Sequence, residues 1–183
     1  YKYGTTDVTR TICFSKKELK IKNIFTYVLK GHIAVANTDL TQKKFGKNID
    51  IEARKFLNKN GLDYNHGTGH GVGYFLNVHE GPQAISKFNS IRIQNGMILS
   101  NEPGYYKKNK FGIRIENLVY AKKVGVKLIF KNLTLVPIEK DLINYKLLTK
   151  QEKNYLFKYH YLVYSKISPF LNKKEKKWLA SFI

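Results

Sequence analysis

The chain has 183 residues, 43% of them hydrophobic and 14% aromatic, which suits one packed domain or one domain with an appendage and excludes a disordered chain. A single cysteine, Cys13, excludes an intrachain disulfide, and no run of about 18 apolar residues is present to form a transmembrane helix. Lysine and arginine total 33 against 13 acids, a formal charge of +20, but lysine runs from Lys2 to Lys177 without one dense block; the charge reads as a solvated surface, and neither nucleic acid nor membrane is expected as a partner.

The first residue is Tyr1 and the only methionine is Met97, so the chain reads as a piece of a longer protein. Residues 5–14 (TTDVTRTICF) are rich in Thr and Val and predict a strand. Cys13 lies there in an apolar patch with Ile12 and Phe14, which predicts a buried structural thiol in a reducing compartment. Over residues 16–38, Leu19, Ile24, Tyr27, Val28, Ile33 and Ala34 recur at helical spacing. Residues 41–49 are polar, include Gly46, and read as a loop. A second helix is expected over 50–60, with Ile51, Ala53 and Phe56 inward and Asn60-Gly61 ending it.

The stretch HGTGHGVGYFLNVHEGP, residues 66–82, holds too much glycine for a continuous helix. Strand candidates follow at 96–102, 111–123 and 127–137. Past Pro137 the texture turns to Lys, Leu and Tyr, with helical patterns near 149–167 and 173–182. A boundary near 139 divides residues 1–139 from a helical extension, 140–183.

Three acids stand where surface charge is not expected. Asp7 lies in a Thr/Val segment, Glu102 follows Met97-Ile98-Leu99 in LSNEPGYY, and Glu116 sits among apolar neighbours in FGIRIENLVY. A carboxylate in such a run is paired, hydrogen-bonded or bound to metal, because burying it alone costs too much. Strand alternation puts Ile113, Ile115 and Asn117 on one face and Arg114 with Glu116 on the other. Arg114 then orients carboxylates beside Glu116; taken alone, the strand equally suits a structural Arg–Glu pair.

His66, His70 and His79 are three of the five histidines and fall within fourteen residues. His66 and His70 have the spacing of a helical zinc motif, but the glycines forbid that helix. Glycine also removes bulk, so a substrate or metal can come close to the backbone. Imidazole plus carboxylates make a mostly oxygen-donor set, suited to Mn²⁺, with Zn²⁺, Co²⁺ and Fe²⁺ as alternatives, and unlike a thiolate structural zinc site. Carboxylates can bridge two ions about 3.5–4 Å apart, and such a pair can hold a hydroxide for attack on a peptide carbonyl.

TTDVTRT, HGTGHGVGYFLNVHEGP, NEPGYY and FGIRIEN, in that order, resemble the successive metal-site motifs of the pita-bread metallopeptidases. Within that group, HGTGHGVG followed by VHEGP resembles aminopeptidase P more than prolidase or methionine aminopeptidase. The resemblance covers nearly the whole chain, including LTLVPI and the helical tail of the longer aminopeptidase P type. It implies an α+β pita-bread fold, incomplete at the N-terminus, with a C-terminal helical extension. It also implies a cytoplasmic Xaa-Pro aminopeptidase that takes peptides with proline at the second position and forms a homodimer. A prolidase-type dipeptidase and a non-catalytic pita-bread binding protein are the alternatives.

Carried over by motif, the metal ligands are Asp7 (bridging), His70, Glu102 and Glu116 (bridging), holding two divalent ions, Mn²⁺ first and Zn²⁺ or Co²⁺ next. The catalytic set is Glu102 as proton carrier, His66 and His79 on the substrate side, and Arg114 orienting a carboxylate. Tyr106 is placed as a further lining residue. The family's first Asp falls upstream of Tyr1, outside this sequence, so the resemblance implies one metal position kept and the other impaired. Tyr3 stands where relatives often carry Asp, at a position that is not a ligand.

Overall fold

The computed structural model of the chain describes residues 2, 4–14, 18–74 and 77–183. Tyr1 and Tyr3 lie outside the described residues. The chain divides into two compact units, Tyr1–Thr11 with Tyr27–Thr134, and Ile12–Thr26 with Leu135–Ile183.

The first unit is built around helix α2 (Gly46–Asn58), the part of α1 (Leu19–Ala36) from Tyr27 onward, and three small antiparallel sheets. Its largest sheet orders β3 (Ile98–Asn101), β6 (Asn117–Val124) and β7 (Lys127–Asn132), with Leu99 opposite Val119 and Ala121 opposite Phe130. Side chains alternate across a sheet, so these four fall on one face. They join Val35, Leu40, Ile49, Ala53, Ile85 and Ile93 in one buried cluster. Each large aliphatic buried there contributes about 1.5–3 kcal/mol. Gly125, at φ 58°, opens the two-residue turn between β6 and β7, where the sheet twist calls for a positive φ.

Helix α2 begins at Gly46, earlier than expected, so the polar loop ends at Phe45. Ile49, Ala53 and Leu57 form its buried face, one helical turn apart. Ile51 points to solvent and Phe56 is half-buried, a correction to the expected inward set, because the true face is offset from Ile51 by two residues. Gly61, at φ 67°, terminates the helix, and the Leu62 N–H returns to the Leu57 carbonyl at 3.1 Å.

Residues 5–14 form no strand. The segment is held by side chains instead: Thr11 Oγ1 accepts from the Arg114 N–H at 3.0 Å, and Arg10 donates to the Glu116 carbonyl at 2.6 Å and to Asn117 Oδ1 at 2.7 Å. The Thr9 carbonyl accepts from the Glu116 N–H at 3.1 Å, and one such bond does not make a ladder. Ile12 and Phe14 are exposed and Cys13 is half-buried, so the expected buried patch is not there.

The expected strand at 111–123 is two strands. Phe111–Arg114 is β5, paired with β4 (Gly104–Lys107), and Asn117 begins β6. The break at Ile115–Glu116 is where hydrogen bonding changes partner, from β4 to Thr9 and then to β3. Strand β7 stops at Asn132, because the Thr134 hydroxyl takes over bonding to the Leu118 N–H at 2.9 Å.

The second unit carries α3 (Lys150–Ile167) and α4 (Lys173–Ala180), each started by a capping box, Thr149 with Glu152 and Asn172 with Glu175. Leu156, Tyr159, His160 and Val163 are the buried face of α3, at the spacing of an amphipathic helix. Tyr159 is fully buried, Tyr155 and Tyr164 are half-buried and Leu162 faces solvent. The Ile138 N–H donates to His160 Nε2 at 3.1 Å and the Tyr159 hydroxyl donates to the Val136 carbonyl at 2.8 Å. No helix among the described residues is long and apolar enough to cross a membrane.

Candidate metal centre

The two buried glutamates stand at strand junctions. Glu102 lies between β3 and β4, and its N–H donates to the Thr68 carbonyl at 2.8 Å. Glu116 lies between β5 and β6, 1% exposed. Its Oε2 accepts from Thr9 Oγ1 at 2.5 Å. Burial raises its pKa; the negative charges of Glu102 and Asp7 push the same way, against Thr9 and Arg114. Such crowding of carboxylates is unfavourable unless a cation or a proton is shared among them.

The histidines come from the glycine-rich segment. Gly69–His70 forms β1, paired with β2 (Ala84–Ile85). A Cβ at Gly69 would come 2.0 Å from the Ser100 carbonyl oxygen, so only glycine lets this strand lie so close to β3. Ser100 joins the two elements: its hydroxyl accepts from the His70 N–H and donates to Glu102 Oε1, both at 2.9 Å.

His70 Nδ1 lies 3.0 Å from the Gly71 carbonyl oxygen. A carbonyl only accepts, so Nδ1 carries a proton and Nε2 is the ring atom left to ligate. Nε2 faces Asp7 Oδ2 and Glu102 Oε1, each 3.4 Å away. Two carboxylate oxygens and one ring nitrogen converge there. Donor separations of this size fit a cation bound at about 2.0–2.2 Å, and a carbonyl on the second ring nitrogen is the usual way a ligating histidine is oriented. Two sets of donor atoms are close enough to be candidates for holding a metal ion among the described residues, Asp7 with His70 and His79, and His70 with Glu102 and Glu116. In each set the atoms lie within 4.8 Å of one another, and His70 belongs to both. The donor set therefore fits divalent metal.

His66 belongs to neither set. Its Nε2 lies 2.9 Å from the Tyr106 hydroxyl, and its Nδ1 donates to the Gly67 carbonyl at 2.7 Å. Arg114 Nε donates to the same Tyr106 oxygen at 2.7 Å, and its NH1 reaches Glu102 Oε2 at 3.8 Å. The carboxylate Arg114 meets is thus Glu102, rather than the strand neighbour Glu116. His79 is exposed, its ring 4.1 Å from that of His70. A line of contacts, His66–Tyr106–Arg114–Glu102, borders the donor cluster.

Thr9, Ser100, Asp50, Arg54 and Thr68 escaped the sequence reading, as did His32. The His32 ring is fully buried against the Asn101 and Ile115 backbone, neither nitrogen in a hydrogen bond of normal geometry, and its carbonyl accepts from Asn101 Nδ2 at 3.0 Å. Burial, and secondarily the charge of Arg10, lowers its pKa from 6.5 to about 3, so it is neutral.

Comparison with known proteins gives this geometry its setting. Residues 1–123 match metallopeptidase family M24, and residues 127–181 match the C-terminal region of peptidase M24. The chain belongs to metallopeptidase family M24. This M24 chain is 45% identical to Xaa-Pro aminopeptidase 1 of Dictyostelium discoideum, over 100% of its own length and 31% of the relative's. It is 46% identical to aminopeptidase P2 of Arabidopsis thaliana, over 98% and 27%. Among solved structures it is similar to the X-prolyl aminopeptidase of Caenorhabditis elegans, described as a cytosolic enzyme with a di-nuclear active site. The TM-score there is 0.87 at 41% identity, covering 97% of this chain and 31% of that one. The prolidase of Pyrococcus furiosus matches at a TM-score of 0.63 and 28% identity, over 73% and 37%. The fold is the α+β pita-bread fold of M24 enzymes, a metal-dependent family. The M24 chain spans about 30% of the length of the relatives it matches.

Proposed function

We propose that this chain supplies the metal-binding and proton-transferring residues of a Xaa-Pro aminopeptidase, which hydrolyses the bond between an N-terminal residue and a following proline. The observation that carries the reading is His70 Nε2 aimed between Asp7 and Glu102, with Glu116 beside them. Asp7, His70, Glu102 and Glu116 are the proposed ligands of two divalent ions, Mn²⁺ by the oxygen-rich donor set. When bound, such ions supply a water of lowered pKa and polarise a carbonyl.

The chain's own residues do the rest. Glu102 is the proposed proton carrier to the leaving amine, a reading supported by Ser100 on one carboxylate oxygen and Arg114 approaching the other. His66 and His79 flank the cluster as the groups that meet the peptide, His66 braced by Tyr106. Arg114 acts through Glu102 and Tyr106. The helical residues 140–183 form the proposed extension, and the whole protein is proposed as a cytoplasmic homodimer.

The test is to express the complete protein with Mn²⁺ and assay Xaa-Pro-Yaa peptides and Xaa-Pro dipeptides, with and without chelator. Chelator-sensitive release of the first residue from the tripeptides, with dipeptides intact, is the expected result. Cleavage of dipeptides alone would replace this reading by prolidase; an intact protein cleaving neither would leave a non-catalytic binding protein.

A further inference from the structure

The loop that carries His66 is held by a buried arginine outside the metal cluster. Arg54, on α2, is 4% exposed, and all three of its nitrogens are engaged. Nε donates to Asp50 Oδ2, NH1 to Asp63 Oδ1 and to the Tyr64 carbonyl, and NH2 to the His66 carbonyl, each at 2.7 Å. The guanidinium lies over the Tyr64 ring, 3.9 Å from its centroid, and that ring is 4.8 Å from the ring of His66.

Asp50 extends the grip. Its second oxygen, Oδ1, accepts from Thr68 Oγ1 at 2.6 Å, and the same threonine oxygen lies 2.5 Å from the Tyr64 hydroxyl. The Thr68 carbonyl then receives the Glu102 N–H at 2.8 Å. One Arg–Asp pair therefore ties down residues 63, 64, 66 and 68, and through Thr68 the backbone of Glu102.

A buried ion pair is weak evidence of stabilisation, because desolvating both charges offsets much of their attraction. This pair is spread over loop carbonyls that no strand ladder satisfies, so its distinctive effect is geometric. A planar fork can hold four acceptors at set angles; a lysine ammonium at the same place cannot.

We propose that Arg54 is a positioning residue for His66: it fixes the loop carbonyl and, through the Tyr64 ring, the imidazole of the substrate-side histidine. The assignment rests on the Xaa-Pro aminopeptidase reading. A purely structural Arg54 would lower the melting temperature and leave turnover by the folded enzyme unchanged.

The experiment is a double-mutant cycle in the complete Mn²⁺-loaded protein, pairing Arg54→Lys with His66→Ala and assaying well below the melting temperature. Asp50→Asn serves as a second variant should Arg54→Lys not fold. Expected are a fall in kcat of about 10–100-fold for Arg54→Lys with metal content retained, and a much smaller effect, within about twofold, in the His66→Ala background. The same fold-loss in both backgrounds, or unchanged kcat with a lowered melting temperature, would overturn the proposal. Histidine ring NMR gives a readout independent of activity: Arg54→Lys is expected to move the His66 resonances and leave those of His79 in place, whereas unmoved His66 resonances count against it. A wild-type protein that cleaves no Xaa-Pro peptide sinks the functional reading, and the His66 resonances still decide the positioning.

Discussion

The carboxylates and the histidines of this site are held by different means. Glu102 and Glu116 sit at the ends of strands, where ladder bonds on both sides determine the backbone. His66 and His79 sit on segments without a ladder, and β1, which carries His70, is two residues long. There, single side chains replace the ladder: Arg54 on the His66 carbonyl, Ser100 on the His70 N–H. A ladder spreads its hold over many bonds, so one lost bond is tolerated. A loop pinned by single side chains concentrates its hold, and one substitution there should reach the chemistry.

The largest effect tests what both regions share. His70→Ala removes the donor common to both clusters, and a loss of kcat/KM on the order of a thousandfold or more is expected, together with weaker Mn²⁺ binding by calorimetry. Retained tight binding of two ions would break the ligand assignment.

Next is Gly69→Ala set against Gly67→Ala. The first drives a Cβ to 2.0 Å from the Ser100 oxygen; at Gly67 the nearest atom is 3.5 Å away, an ordinary contact. About 1–3 kcal/mol of stability should be lost in the first and little in the second, read as urea midpoints. Equal losses would show that β1 lies less tightly against β3 than described.

Ser100→Ala follows. It unties the His70 N–H from Glu102, and the expected cost is a 10–100-fold fall in metal affinity. An unchanged affinity would mean that the backbone alone orients both ligands.

The smallest and most diffuse effect is on acid stability. His32 titrates near 6.5 when unfolded and near 3 when folded, so between those values the unfolded chain takes up a proton that the native state refuses. Stability contributed by neutral His32 is complete above about pH 6.5 and is lost as pH falls toward 3, at up to about 1.4 kcal/mol per pH unit. His32→Leu should flatten the plot of denaturation midpoint against pH in that window; parallel curves would show that this histidine is not buried as described.

Part of this was legible in the chain itself. Carboxylates in apolar runs and a glycine-rich stretch with three histidines pointed to a metal site, and the resemblance of the motifs, in their order, singled out Asp7, His70, Glu102 and Glu116 as the ligands now proposed. Helix periods located α1, α3 and α4, because an amphipathic repeat is a local property. Residues 5–14 misled, since Thr and Val favour strands but a strand needs a partner that sequence does not name. The inward face of α2 was misjudged because a period can be read without its phase.

One overlooked signal was compositional. Only Arg10, Arg54, Arg92 and Arg114 are arginine among 33 basic residues. In so lysine-rich a chain, an arginine marks a place where a flat, multiply bonded fork is wanted. Arg10, Arg54 and Arg114 each use several donors or contacts near the site. The sequence by itself determined which residue types could bind metal and that glycine must surround the histidines, because those are properties of side chains and of local backbone freedom. The tertiary structure alone decided that Arg114 meets Glu102, that Ser100 links His70 to that glutamate and that Arg54 braces His66, because each contact joins residues whose separation along the chain says nothing about their distance in space.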